Sequence, residues 1–193
     1  MLLPPQYAFL LKEPGPRILQ EALKLFGTKE QIGPGSNPTL LMWADTLGDK
    51  LGTAYAKWAD TFYSDDLIPW CGLFIAYVVD KANDAKRPER APITKYLSAG
   101  EWAHWGIGVD KAELGDILVF VRPGGGHVGI YVGEDQFSYH VLGGNQADSV
   151  CIVPIAKSRC TAIRRPPYLN KPANVRSIRI SQTTGIPVST NEA

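Results

Sequence analysis

Cysteine is scarce in this chain, with three in 193 residues, and the odd count argues against a secreted framework held by disulfides. Cys71, Cys151 and Cys160 also lack the paired spacing of a structural zinc site, so no metal and no cofactor are expected. Charge of one sign is equally scarce. Twenty basic and 19 acidic residues leave a formal charge of +1, which gives no bulk electrostatic footprint for nucleic acid or an anionic membrane. Long apolar runs are missing too: the run 73–79 stops at Asp80, far short of the roughly 18 to 20 residues that span a bilayer, so membrane insertion is not expected. The start, residues 1–16, is broken by Pro4, Pro5, Pro14 and Pro16 and lacks the basic and apolar regions of a signal peptide. Synthesis in the cytoplasm without signal-directed export follows as the expectation.

What is present is an ordinary globular composition, 45% hydrophobic and 20% charged, of a length that suits one domain. The first half has helical periodicity. Residues 17–27 carry one apolar stripe from Ile18, Leu19, Ala22, Leu23 and Phe26, with Gly27 as a stop. Asn37 and Pro38 announce a second helix running toward Gly48, and Leu51, Tyr55, Trp58, Ala59 and Phe62 continue the helical spacing. A fourth helix, apolar nearly all round and hence buried, is predicted from Trp70 or Cys71 through Val79.

From Leu114 the period shortens. The runs 117–121, 127–132, 137–142, 150–155 and 161–164 are rich in β-formers and are separated by glycine-, proline- and aspartate-containing turns. Helices followed by an antiparallel meander predict an α+β fold, with residues 1–168 as the domain. Residues 169–193 are polar and aperiodic and read as a flexible tail, mobile or loosely docked. Removing 171–193 is expected to leave folding and activity intact.

Cys71 lies where the segment Ile68-Pro69-Trp70 hands over to the buried helix. A helix start favours thiolate and offers N–H groups to an oxyanion, which predicts a thiol titrating below the usual value of about 8.5. The alternative is a small apolar filler beside Trp70. His127 opens a strand after Gly124-Gly125-Gly126, and alternation places it with Gly129 and Tyr131 on one face and Val128, Ile130 and Val132 on the other. The alternative is a surface histidine beside a turn.

If the hairpin turn after Val132 centres on Glu134 and Asp135, His127 lies opposite about Leu142, with Asn145 just beyond the same end of the sheet. Asn145 is then the candidate to accept the imidazole N–H, although Gly143-Gly144-Asn145 is also a plain turn sequence. Asp116 falls at the opposite end and reads as a turn residue. His104 and His140 read as structural. Cys151 and Cys160 can approach across neighbouring strands, with reduced thiols as the default. Trp70, Trp102, Trp105 and Tyr131 are either an approach surface for substrate or core.

Taken in order, five short motifs resemble the NlpC/P60 and CHAP superfamily of papain-like peptidoglycan hydrolases, in particular a phage-associated branch. They are Gly33-Pro34-Gly35-Ser36-Asn37-Pro38, Pro69-Trp70-Cys71, Gly115-Asp116-Ile117, Gly126-His127-Val128-Gly129 and Leu142-Gly143-Gly144-Asn145-Gln146, within residues 19–165. The resemblance implies a papain-like fold and hydrolysis of amide bonds in bacterial cell-wall peptide. Cys71 would be nucleophile, His127 base and then acid, and Asn145 the polar third member. Trp70, Trp102 and Tyr131 are the candidate substrate contacts. Endopeptidase and N-acetylmuramoyl-L-alanine amidase specificities both remain open, as do acyl transfer and a catalytically silent wall-binding or virion module. No wall-binding repeat is present, which suits a phage endolysin for a thin wall or a type VI secretion antibacterial effector. Its partners would be peptidoglycan and, for an effector, an immunity protein or a secretion or virion component.

Overall fold

The computed structural model describes residues 3–83 and 87–181. The expectations for Met1, Leu2 and the tail residues 182–193 fall outside the described residues. Four α-helices come first: α1 (Arg17–Lys24), α2 (Pro38–Leu51), α3 (Ala54–Phe62) and α4 (Cys71–Ala82). In α2 the Asn37 side chain accepts from Thr39 N at 2.8 Å and Pro38 takes the first turn, where no N–H is needed. The helix runs past Gly48 and stops at Gly52, which supplies the left-handed conformation (φ 62°). Gly48 is instead a packing point: a Cβ there would lie 2.8 Å from Asp60 Cβ on α3. The α4 helix is buried from Cys71 through Asp80, the central position its composition predicted.

Six antiparallel strands follow, β1 (Ile107–Gly108), β2 (Ile117–Arg122), β3 (Gly125–Glu134), β4 (Ser138–Gly143), β5 (Cys151–Ala156) and β6 (Cys160–Arg165), in the order β1-β6-β2-β3-β4-β5. The fold is mixed α+β. Val128, Ile130, Val132, Leu142, Ile117 and Val119 face α4 and the other helices in the main core. Leu118, Phe120, Tyr131, Val141 and Ile155 form a smaller cluster on the opposite face. Cys151 and Cys160 lie on β5 and β6, which three strands separate, so the expected approach does not occur; both thiols are free.

The register of the β3–β4 hairpin differs from expectation. Ile130 pairs with Leu142, and a bulge between Tyr131 and Gly133 shifts the pairing to Gly133 with His140 and Glu134 with Tyr139. The turn sits later than predicted because Asp135 caps it, its Oδ1 accepting from Phe137 N at 2.8 Å and Ser138 N at 2.7 Å.

The expected loose tail is also corrected. Over 171–181 the chain straps across the sheet, with Leu114 N donating to Arg176 O, Glu134 N to Ile178 O, and Ile180 N to Glu134 O. Val175 and Ile180 are buried, and Ile180 Cδ1 occupies the space beside Gly133. Polar composition concealed these few apolar anchors.

Candidate active site

The site forms where the start of α4, the first turns of β3 and the loop after β4 converge. Cys71 is the first residue of α4 and only 5% exposed, and His127 is fully buried near the start of β3. The backbone N–H groups of Val128 and Gly72 point to the Cys71 sulfur, which places the thiol against the residue that follows His127. Gly72 permits this packing: a Cβ there would lie 2.4 Å from Tyr96 O and 2.6 Å from Leu97 O.

Gln146, not Asn145, meets the imidazole. His127 Nε2 lies 3.0 Å from Gln146 Oε1. The orientation of this amide follows from its other end, since Gln146 Nε2 donates to Val141 O at 3.2 Å and to Cys151 O at 2.7 Å. Oε1 must then be the atom facing the ring, so His127 Nε2 carries the proton and Nδ1 is the basic nitrogen. Asn145 is buried but takes a left-handed conformation, φ 57°, which is the turn role open to it in the sequence. The register also differs from the expected one, since Ile130 and not His127 pairs with Leu142.

The loop that presents Gln146 is unusually constrained. Asn145, Ala147 and Asp148 are all non-glycine residues at positive φ (57°, 48° and 56°), a conformation that persists only where surrounding contacts enforce it. Gln146 N donates to Ser149 O, while the Ser149 Oγ and Cys151 Sγ groups donate to Gln146 O at 2.9 Å and 3.2 Å. Gly144 presses on the start of α4, where a Cβ would lie 2.6 Å from Phe74 Cβ. Gly143 leaves room for the histidine, since a Cβ there would lie 3.2 Å from His127 Nε2. The segment after α1 closes the other side: Glu30 N donates to Asp148 O, and Gly27 and Val150 bond across at 2.9 Å.

The chain matches no protein-family model and no curated protein. What this site can do therefore rests on its own geometry.

Burial pushes the Cys71 thiol up, while the N–H groups of Val128, Gly72 and Cys71 itself and the charge of Arg122 pull it down; burial wins. This reverses the expectation of a low-titrating thiol, because the helix start is enclosed and burial penalises the thiolate. Cys151 is also pushed up by burial, and Cys160 reaches about 11 for the same reason.

The expected substrate aromatics are core. Trp70, Trp102 and Tyr131 have essentially no exposure. Trp70 Nε1 donates to Glu30 Oε1 at 2.7 Å, Trp102 Nε1 to Tyr96 O at 3.0 Å, and the Tyr131 hydroxyl bonds the backbone of Ile178. Trp105 is likewise buried. Asp116 has the structural role predicted for it, gripped by Arg165 Nε and Nη2 at 3.0 and 2.8 Å. His140 joins a buried chain from the Tyr7 hydroxyl (2.6 Å) to Asp135 (3.2 Å). Among the described residues no group of three or more histidine, cysteine, aspartate or glutamate side chains is placed to hold a metal, and no helix is long and apolar enough to cross a membrane.

Proposed function

We propose that this chain is a papain-like thiol hydrolase that cleaves amide bonds of bacterial peptidoglycan, with Cys71 as nucleophile, His127 as base and then acid, and Gln146 as the group that orients the imidazole. The observation that carries this reading is the 3.0 Å contact from His127 Nε2 to a glutamine amide whose direction is itself fixed, beside a cysteine at a helix start. His127 Nδ1 takes the thiol proton as sulfur attacks the amide carbon. The oxyanion gathers against the N–H groups of Cys71 and Gly72, the leaving amine receives the proton from imidazolium, and water then hydrolyses the thioester. Because burial holds the thiol up, the thiolate forms in the attack step. The wall as substrate rests on the ordered motifs from Gly33 to Gln146.

On this reading the protein meets peptidoglycan after delivery or lysis, as an endolysin or an injected effector, and endopeptidase cleavage is favoured over the amidase bond. The low exposure of Cys71 and His127 favours a second reading, a silent structural module of the same fold. Digestion of purified peptidoglycan followed by mass spectrometry tests both: soluble peptides identify the bond cut, and their absence at any enzyme concentration supports the module.

A further inference from the structure

Arg122 ends β2 opposite Gly125, and its Nε donates to Gly126 O at 3.4 Å, one residue before His127. It is half-buried, and no carboxylate among the described residues pairs with it. Arg165, Arg176 and Arg179 are instead held by Glu113 and Asp116, by Glu13 and by Glu134. A guanidinium has five donors, so fixing Nε on a carbonyl leaves the two terminal groups available in a set plane. Gly124, Gly125 and Gly126 put no side chain in their way.

Carboxylates gather instead around Trp70, the residue before Cys71. Glu30, on the Trp70 indole, is pushed up first by its own burial and then by the charges of Asp148, Asp66 and Asp65. A substrate anion is therefore disfavoured near Glu30 and drawn to Arg122, whose charge also reaches the Cys71 sulfur.

We propose that Arg122 is a specificity-determining residue that binds a free carboxylate of the peptide substrate next to the bond attacked by Cys71. The preferred substrate class is then a peptide with an unamidated carboxyl adjoining the scissile amide; this rests on the thiol-hydrolase reading, and its test does not require turnover.

The test compares alkylation of Cys71 by iodoacetate, which carries a carboxylate, with alkylation by neutral iodoacetamide, read by peptide mass mapping and referenced to glutathione. In both reactions the sulfur–carbon bond forms as carbon–iodine breaks, iodide leaves and the thiol proton passes to His127. A general change in thiol reactivity alters both rates together, so their ratio isolates carboxylate binding. In the native protein the iodoacetate-to-iodoacetamide ratio should exceed that of glutathione. It should fall on the order of tenfold in Arg122→Gln, as expected for loss of a charge-assisted contact, and less in Arg122→Lys. A native ratio at or below that of glutathione, or one unchanged in folded Arg122→Gln, overturns the proposal. If the Gln variant does not fold, the native ratio and the Lys variant still decide. A flat ratio in a protein that digests peptidoglycan rejects the carboxylate site alone; a high ratio in a protein that digests nothing rejects the hydrolase reading alone.

Discussion

At Cys71 two local effects oppose each other. The helix start and the Val128, Gly72 and Cys71 N–H groups favour thiolate, whereas near-complete burial favours the thiol, and burial is the larger. A raised pKa means that the protonated form dominates at neutral pH and thiolate accumulates only as pH rises past the usual value of about 8.5. Inactivation by iodoacetamide should therefore still be accelerating above that value; a rate already level at pH 7 would show a preformed thiolate–imidazolium pair. The group that meets the His127 imidazole is the other residue-scale result. Gln146→Ala should cost tens to thousands of fold in turnover with the fold intact, since an orienting amide sets tautomer and angle without moving a proton. Asn145→Ala, measured beside it, should cost far less, and the opposite ranking would return the role to Asn145. The positions of Cys71 at a helix start and of His127 near a strand start were legible because a proline-led helix start and a triple glycine before a strand are local signals. The contact of Gln146 with His127 was not, because it depends on a loop held left-handed at Asn145, Ala147 and Asp148, which no local pattern signals.

Among the elements, β4 and its following loop hold the site together through glycines that no propensity rule would assign to catalysis. Gly143→Ala would place a Cβ 2.7 Å from Gln146 Oε1 and 3.2 Å from His127 Nε2, so it should lower turnover with little loss of stability. Gly72→Ala would meet the Tyr96 and Leu97 carbonyl oxygens at 2.4 and 2.6 Å, and rigid backbone on both sides should make it destabilising as well as inactive. Thermal melts and turnover of the two variants separate these outcomes; equal melting temperatures would contradict this account of the α4 packing. The helices and strands themselves were readable because apolar spacing switches from helical to alternating near Leu114. The sheet order was not, because β6 returns beside β2 and leaves β5 at the edge, a long-range choice that no local period encodes.

For the whole molecule, the strap over 171–181 changes what the C-terminal region is for. Its composition reads as solvated, yet Val175 and Ile180 are buried and its backbone bonds to Leu114 and Glu134. Ending the chain at Asn170 should lower the melting temperature by more than a few degrees, since the two side chains contribute roughly 1.5 to 3 kcal/mol each when fully buried. An unchanged melt would show that the strap adds nothing. The strap was not legible in the sequence, because a few apolar residues among many polar ones give no periodic signal.

The central claim is that one buried thiol and its oriented histidine cut wall peptide, and the direct measurement is muropeptide release from purified peptidoglycan by the native protein and by Cys71→Ala. Both are used at matched concentration, with circular dichroism showing both folded. The account predicts soluble fragments with a defined new terminus from the native protein and none above background from Cys71→Ala. Equal release by the two proteins, or none by the native one, would contradict it.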